Sequence, residues 1–206
     1  MNAQLDRIPK AIVTYDKIAS LYARKVAPRA PKQELEKFTK YLNPGSKVLD
    51  VGCAAGRDTR ILKDNGFTTI GIDLSKGLLA IARKENPGIE FFFADVRQLP
   101  FPDQTFEGLW SNAVFHQLQK EDMGQALSEW KRVLKKDGIL YLRTKMGSGD
   151  IKTADELSGG EEREFTLLSE DELKQMLQSA EFKLLESYQS KDETRDLTWI
   201  NTFSQK

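Results

Sequence analysis

The fold of this chain is decided by the segment Val48-Leu49-Asp50-Val51-Gly52-Cys53-Ala54-Ala55-Gly56-Arg57-Asp58. The segment begins as an apolar strand and then reaches a turn that carries two glycines. A helix is expected to follow, and its free backbone N–H groups point toward the space that the glycines leave open. The segment therefore predicts a strand, a loop and a helix that together cradle a nucleotide-like ligand.

The loop is a poor match to the fingerprint of dinucleotide-binding proteins. That fingerprint reads G-x-G-x-x-G, whereas Ala54 stands at the second glycine position and Gly56 is out of phase with the third. The ligand need not be a dinucleotide. Taken alone, the loop also fits an ordinary corner between a strand and a helix.

The same loop resembles the first motif of the class I S-adenosylmethionine-dependent methyltransferases. That motif is an acidic residue, any residue, and then G-x-G-x-G; Asp50 supplies the acid and Ala54 replaces the middle glycine. The resemblance implies that S-adenosyl-L-methionine is the cofactor. It implies cofactor contacts at Asp50, Gly52, Cys53, Ala54 and Gly56. We expect Cys53 to be small and buried and to contact the ligand through its backbone.

A second apolar strand, residues 68–73, ends in an acid about 20 residues beyond the glycine loop. A carboxylate at this spacing is suited to bind ribose hydroxyls, so we predict that Asp73 binds the ribose and that Leu74 beside it contacts the cofactor. The alternative is that Asp73 or Ser75 only caps the helix predicted at residues 76–84.

Two further strands are expected to end at the same edge of the sheet. The third, residues 89–96, ends in Asp95; in the resembling family the acid there accepts a hydrogen bond from adenine, and its neighbour, here Val96, packs on the ring. The fourth, residues 106–112, ends in Ser111 and Asn112, which we also assign to the cofactor. In parallel sheets, ligands bind beyond the carboxyl ends of the strands.

Strands that alternate with helices predict an α/β fold with a doubly wound, mostly parallel sheet and helices on both faces. A helix is predicted at residues 123–134, with Asp137-Gly138 ending it as a left-handed C-cap before a fifth strand at residues 138–145. Later elements are a helix at 169–179 that opens with a capping box and closing strands at 181–188 and 198–204. The resemblance implies a Rossmann-like sheet of seven strands in which the last is antiparallel.

The chain has 206 residues, enough for one sizeable core and too few for two ordinary domains. We divide this single domain into an N-terminal helical cap (1–45), a cofactor-binding core (46–146), a mobile loop (147–163), and a C-terminal helix with closing strands (164–206). The loop is polar, glycine-rich and acidic, with little to bury. Its position after the fifth strand makes it a candidate lid over the site.

The balance of charge argues against nucleic acid as a partner, because 31 basic and 31 acidic side chains leave no basic field. Residues 1–7 lack the apolar core of a signal peptide, and no stretch approaches the roughly 20 apolar residues of a membrane span. We expect a cytoplasmic monomer or homodimer with no membrane partner, and we predict no metal site.

Scattered residues extend the resemblance over nearly the whole chain. A subfamily of small bacterial class I methyltransferases carries a Gly-Arg-Asp after the first loop, a His after strand four and a Lys at the end of strand five. It also carries an Arg-x-Phe beyond the mobile loop and an Arg before a Trp-x-Asn near the C-terminus. The matching residues in this chain are Arg57, His116, Lys145, Arg163, Arg195 and Trp199.

The N-terminal segment places Tyr15 and Tyr22 seven residues apart, hence on one face of a helix. In resembling enzymes that act on small molecules, the N-terminal helix covers the cofactor and the acceptor. The resemblance thus implies contact of Tyr15 with the cofactor and of Tyr22 with the acceptor. The alternative is a tyrosine pair that packs on the domain.

The cations near the C-terminal half suggest an anionic acceptor. Guanidinium groups pair bidentately with carboxylates and phosphates, so the cations Arg143, Lys145, Arg163 and Arg195 are expected to frame the acceptor, and Lys145, Arg163 and Arg195 are candidate acceptor contacts, together with Trp199. The alternative is that these cations form surface ion pairs. His116 is the only histidine and is expected beside the methyl group, where a pKa of about 6.5 suits a general base; a buried structural histidine is the alternative.

The predicted function is therefore S-adenosylmethionine-dependent methyl transfer to a small-molecule acceptor, with an anionic acceptor favoured by the cations. Two alternatives from other classes stay open. A nicotinamide-dependent oxidoreductase would use the same loop but normally shows the three-glycine fingerprint. A non-catalytic protein that retains the fold would have lost cofactor ligands, of which Ala54 is the one sign.

Overall fold

The computed structural model describes residues 7–192 and 194–206, and within these residues the core of the protein is a sheet of seven strands. The strands of this sheet are β1 (Lys47–Val51), β2 (Thr68–Asp73), β3 (Glu90–Phe93), β4 (Phe106–Asn112), β5 (Leu134–Lys145), β8 (Lys183–Lys191) and β9 (Thr198–Gln205). A separate two-stranded sheet is formed by β6 (Gly149–Thr153) and β7 (Arg163–Leu167).

The strands lie in the order β3-β2-β1-β4-β5-β9-β8. Strand β9 runs antiparallel to both β5 and β8, and the other neighbours pair in parallel. The predicted fold class is confirmed, including the seven strands and the antiparallel last strand.

Six α-helices accompany the strands in the described residues: α1 (Arg7–Val26), α2 (Lys32–Lys40), α3 (Arg57–Asp64), α4 (Lys76–Glu85), α5 (Lys120–Val133) and α6 (Glu170–Ser179). Helices α2 and α3 contribute to a core on one face of the sheet, and α5 and α6 contribute to a core on the other. In the described residues, no helix combines the length and the apolar character needed to cross a membrane.

Strand β4 shows how the two cores share the sheet. Successive side chains of a strand point to opposite faces, so Leu109 packs with the core that holds Trp130, and Trp110 packs with the core that holds Phe38. The Trp110 ring also stacks on Tyr141, with ring centroids 4.0 Å apart. This alternation places Asn112 on the same face as Trp110.

The parallel pairing brings the ends of the first strands to one edge. Val51 pairs with Ile72, Asp73 with Phe93, and Asn112 with Arg143. The loops that follow these strands therefore lie side by side, as the sequence predicted.

The predicted end of α5 is wrong. The helix ends at Val133, and the chain enters β5 at once, with Leu134 paired to Phe106 of β4. Asp137 does adopt a left-handed conformation, with φ of 62°, but it lies within β5 where the register against β4 shifts. Its conformation accommodates an irregularity in a strand rather than the end of a helix.

Residues 147–163 are more ordered than a featureless loop. Strand β6 lies within them and pairs antiparallel with β7, so that Thr153 is opposite Arg163. Leu157 and Ser158 are buried, at 5% and 0% exposure, so the expectation of little to bury was wrong. The mobility of the segment stays a prediction.

The predicted cap over 1–45 contains α1 and α2, and its residues 1–6 lie outside the described residues. On α1, Tyr15 and Tyr22 lie on one face as predicted, with their rings edge to face and centroids 5.1 Å apart. Asp16 of the same helix accepts hydrogen bonds from Ser75 Oγ at 2.6 Å and from the Gly77 amide at 2.8 Å. These bonds hold α1 against the start of α4.

Candidate active site

A cavity of about 510 Å³ lies at the edge where β1 to β5 end, with α1 forming part of its wall. All of the predicted site residues line it except Gly56 and Ser111. The assignment of the individual lining residues to a cofactor or an acceptor stays a prediction.

Gly56 and Ser111 are not brought to the cavity wall. Gly56 turns the chain into α3 with φ of 79°, and a Cβ there would lie 2.7 Å from the Phe91 ring. Ser111 is fully buried, because the alternation of β4 directs it to the face opposite Asn112. The position at a strand end was right for Ser111, but the side chain points away from the cavity.

The glycine loop has the backbone that close approach to a ligand requires. Gly52 has φ of 72°, and a Cβ at this position would lie 2.5 Å from Val114 Cγ2. Ala54 also has a positive φ, 49°, which is uncommon for a residue with a side chain. The Ala54 amide donates to Asp73 Oδ2 at 2.9 Å, and this bond holds the loop in its conformation.

Asp73 does not cap α4. The cap is Ser75, whose Oγ accepts from the Leu78 amide at 3.1 Å, while Asp73 Oδ1 accepts from the Ser75 amide at 2.8 Å. Burial raises the pKa of Asp73, and the Ser75 and Ala54 amides oppose that rise. A carboxylate has about four acceptor positions, so Asp73 keeps acceptor capacity for hydroxyl groups in the cavity.

Two further carboxyl groups near the glycine loop are those of Asp50 and Asp58. Asp58 accepts from Arg57 Nε at 2.6 Å, from Asn112 Nδ2 at 2.7 Å and from Trp110 Nε1 at 3.1 Å. Burial acts to raise the pKa of Asp58, but Arg57 and these hydrogen bonds lower it overall. For Asp50, burial and then the neighbouring Asp58 charge raise the pKa. The Asn112 Oδ1 atom is buried and has no hydrogen-bond partner.

The acid after β3 is held by a neighbouring arginine. Asp95 receives hydrogen bonds from Arg97, including Nη2 to Oδ2 at 2.8 Å, and Arg97 Nη1 also binds Asp122 at 2.8 Å. The Val96 carbonyl accepts from the buried Trp130 indole at 2.9 Å. These contacts fix the backbone of Asp95 and Val96 at the cavity wall.

The opposite end of the cavity is rich in cations. Arg163, with a side chain only 4% exposed, pairs with Asp155 at 2.5 Å and donates to the Tyr15 hydroxyl at 3.3 Å. Arg195 pairs with Asp192 at 2.6 Å, and Asp192 also accepts from Trp199 Nε1 at 3.2 Å.

Two cations of strand β5 complete this end. Lys145 places its Nζ 3.4 Å from the centre of the Phe165 ring. Burial, followed by the charges of Arg163 and Arg195, lowers its pKa to about 7. Arg143 lies over Trp199, 4.3 Å from the ring centre. The structure thus brings the four predicted cations, Arg143, Lys145, Arg163 and Arg195, to one cavity.

His116 lines the same end and is buried, at 2% exposure. Its ring lies against Phe165 and Trp199, with centroid distances of 5.1 Å and 5.9 Å. Burial and then the charges of Lys145 and the nearby arginines lower the pKa of His116 well below its usual 6.5. The imidazole is therefore neutral at pH 7 and is a weak base. Both predicted roles, a general base and a buried structural histidine, stay open.

Two residues of this site are not indicated by the sequence patterns: Asp155 and Asp192. Arg143 stands two positions before Lys145 on one strand, and that spacing alone puts both on one face. The two aspartates had no comparable signal, because their partners are set by how the chain returns to the sheet edge.

Comparison with known proteins decides the family. A model of the family described as "Methyltransferase domain" matches residues 49–142. These residues, a little under half of the chain, form a methyltransferase domain of the class I S-adenosylmethionine-dependent type. S-adenosyl-L-methionine is the cofactor of this domain type, and the matched residues span the strands from β1 to β5.

Two named methyltransferases match about half of this chain. A malonyl-[acyl-carrier protein] O-methyltransferase of Serratia marcescens is 29% identical over 110 residues, covering 53% of this chain and 42% of that protein. A demethylmenaquinone methyltransferase of Chlorobaculum tepidum is 35% identical over 122 residues, covering 59% and 48%. The chain thus matches less than half the length of these two relatives.

A solved structure matches the methyltransferase fold over almost the whole chain. The 1,6-didemethyltoxoflavin-N1-methyltransferase of Burkholderia thailandensis, with bound 1,6-didemethyltoxoflavin and S-adenosylhomocysteine, has a TM-score of 0.77. The match covers 98% of this chain and 90% of that one, at 19% identity. At this identity the likeness shows the fold alone.

Proposed function

We propose that this protein transfers the methyl group of S-adenosyl-L-methionine to a small-molecule acceptor that carries negative charge. The observation that carries the proposal is the electrical polarity of the cavity. The Asp73 carboxylate lies at the end of β2, the cations Arg143 and Lys145 lie at the end of β5, and Arg163 lies at the start of β7. A cationic cofactor at the first end and an anionic acceptor at the second would each meet opposite charge.

The residues at the first end fit the cofactor. Gly52 lines the cavity, and because it has no Cβ its backbone can lie close to a ligand there. Asp73 keeps acceptor capacity for a ribose diol, and Asn112 Oδ1 is a buried acceptor without a partner. When bound, S-adenosyl-L-methionine supplies an electrophilic sulfonium methyl group.

The protein's own contribution is expected to be positioning. Well-oriented reacting groups gain about 7–11 kcal/mol from proximity alone, so an acceptor held against the methyl group needs no further catalyst if it is already nucleophilic. His116 is neutral at pH 7 because of its lowered pKa. We assign it to acceptor positioning first, and to proton removal only for an acceptor that must lose a proton.

Tyr22, Lys145, Arg163, Arg195 and Trp199 are the proposed surroundings of the acceptor. They line the cavity together with Phe165 and His116. Their positive potential favours a carboxylate or a phosphate over a neutral molecule. The cytoplasmic location, the oligomeric state and the absence of a nucleic-acid partner stay predictions.

The proposal is tested by measuring S-adenosylhomocysteine formed from S-adenosylmethionine with a panel of small carboxylic acids and phosphate monoesters. Each acid is paired with its amide, and each monoester with its neutral triester. We expect turnover with at least one anion and less than a tenth of that rate with its neutral partner. The Asp73→Ala variant should lose most of the turnover, which guards against a contaminating enzyme. Faster turnover with the neutral partners would overturn the anionic acceptor.

A further inference from the structure

Two of the four cations in the acceptor end already have carboxylate partners. Arg163 is paired with Asp155 at 2.5 Å and Arg195 with Asp192 at 2.6 Å. Asp155 also accepts from the amides of Leu157 and Ser158, at 3.0 and 3.1 Å. Both arginines therefore tie segments of chain to the cavity wall, and their charges are largely balanced.

The other two cations have no such partners. Among the residues that the structure describes, neither Arg143 nor Lys145 makes an ion pair or a side-chain hydrogen bond; the Nε of Arg143, like that of Arg163 and of Arg195, is buried without a partner. Lys145 is 7% exposed. A buried cation without a direct ionic partner is costly, so the stabilisation of the buried Lys145, and to a lesser degree of the partly buried Arg143, is incomplete.

Their placement lets both reach one ligand. Arg143 and Lys145 are two residues apart on β5, so their side chains leave the same face of the strand. Arg143 lies on the Trp199 ring and Lys145 on the Phe165 ring. The apolar rings limit water around the cations, and a charged hydrogen bond is stronger in such a low-dielectric place.

We infer that Arg143 and Lys145 form an oxyanion-binding subsite that directly holds the charged group of the acceptor, while Arg163 and Arg195 hold the walls. The ligand is a carboxylate or a phosphate group. The guanidinium of Arg143 offers a planar fork for two oxygens, and the ammonium of Lys145 offers a point charge. This inference rests on the proposed function, because the acceptor is what carries the anion.

The test is a titration of acetate and, separately, of inorganic phosphate into the protein saturated with S-adenosylhomocysteine. Ionic strength is held constant with chloride, and binding is followed by calorimetry and by tryptophan fluorescence, to which Trp199 contributes. We expect at least one anion to bind saturably. The anion that binds more tightly identifies the class of group that the subsite prefers.

Variants decide which cations contact the anion. Arg143→Met and Lys145→Met should each weaken binding at least tenfold, and Arg143→Lys, which keeps the charge but loses the planar fork, should weaken it less than Arg143→Met does. The variant Arg195→Gln removes a cation that is already paired with Asp192, and it should weaken binding less than either Arg143→Met or Lys145→Met does. The matched surface control is Lys120→Met, which removes an exposed lysine paired with Glu172.

The outcomes separate this inference from the proposed function. All variants should bind S-adenosylhomocysteine as the parent does, and Arg143→Gln replaces Arg143→Met if the latter melts below the assay temperature. If the parent does not bind S-adenosylhomocysteine, the proposed function fails. If it does bind, but neither anion binds, or the anion is lost only with Arg195, the subsite is overturned. Undiminished anion binding by Arg143→Met and Lys145→Met also overturns it.

Discussion

At the scale of single residues, Asp73 connects the fold to the cofactor. Its two oxygens accept from the amides of Ala54 and Ser75, so the carboxylate fixes both the glycine loop and the approach to α4. The same carboxylate lines the cavity. A residue of this kind cannot be removed without effects on both the loop and the ligand.

Replacing Asp73 with Ala should weaken S-adenosylhomocysteine binding at least tenfold. Charge-assisted hydrogen bonds contribute roughly 1.5–3 kcal/mol each, and the loss of one is enough for this effect. Calorimetric titration measures it. The control is Asp64→Ala, which removes an exposed acid of α3 that pairs with Arg60. Parent-like affinity in a folded Asp73→Ala protein would show that Asp73 only organises the loop.

Lys145 should make the protein less stable than it would be without this charge. Its pKa is lowered from an ordinary 10.5 to about 7, by burial first and then by Arg163 and Arg195, against the opposing effect of Asp155 and Asp192. Between pH 7 and 10.5 the unfolded chain binds more protons than the folded one, so stability rises with pH in that window. His116 also faces this group but is neutral there.

Lys145→Met should therefore raise the free energy of unfolding at pH 6 and remove the rise between pH 7 and 10.5. At 1.36 kcal/mol per pKa unit, the gain has an upper limit of about 5 kcal/mol. Urea unfolding at pH 6 and pH 9 measures it, with Lys120→Met as the exposed control. A variant less stable than the parent at pH 6 would contradict the uncompensated charge.

At the scale of elements, α1 and the turn between β6 and β7 meet along a row of ion pairs. Lys10 binds Glu162 and Glu164, at 3.0 and 2.8 Å, and Lys17 binds Glu161 at 2.6 Å. Most of these side chains are well exposed; Lys17, for instance, is 65% exposed. We call this contact the α1 seam. Exposed pairs of this kind are worth about 0–1 kcal/mol each and are screened by salt.

The α1 seam should therefore loosen in high salt. Amides of residues 154–162 should exchange hydrogen several-fold faster in 1 M than in 0.05 M sodium chloride, and binding of cofactor with acceptor should slow them. Hydrogen exchange read by mass spectrometry checks this, with the β4 amides as internal control. Slow exchange in the free protein at both salt concentrations would contradict a lid that opens.

The sequence predicted the secondary-structure elements that are set by nearby residues, and it missed those that form only through long-range pairing. The helix after Ser169 was predicted from its capping box, and the structure has that box, with the Ser169 and Glu172 side chains each bonded to the other's amide. Strand β6 was not predicted, because Gly149–Thr153 is polar and short and becomes a strand only by pairing with β7. The join of α5 to β5 was also missed, since pairing of Leu134 with Phe106 overrides the turn signal at Asp137.

The residues of the candidate site also include some that local sequence signals predicted and some that they could not. Asp73 and Asp95 were predictable because the carboxyl ends of parallel strands meet at one edge. Ser111 was predicted at the correct strand end but on the wrong face of the sheet. Successive side chains of a strand point to opposite faces, so a shift of one residue decides which side chain reaches the cavity. Asp155 and Asp192 pair with Arg163 and Arg195 only because of the β6–β7 hairpin and the path of the chain into β9. No spacing in the sequence indicates those contacts.

At the scale of the whole molecule, the cavity is electrically polarised. Asp73 lies at the end where β2 stops, and Arg143 and Lys145 lie at the end where β5 stops. The doubly wound sheet creates this arrangement, because it places the loops of both halves at one edge. The same fold with a different distribution of charge would favour a different pair of ligands.

The most direct test of the central claim is calorimetric titration of the intact chain with S-adenosylhomocysteine, and with NAD under the same conditions. A single site for S-adenosylhomocysteine and no detectable heat from NAD is the predicted result. Binding of NAD without S-adenosylhomocysteine would point to a nicotinamide enzyme. Binding of neither would identify a protein that keeps the methyltransferase fold without its cofactor, and either result would contradict methyl transfer from S-adenosyl-L-methionine.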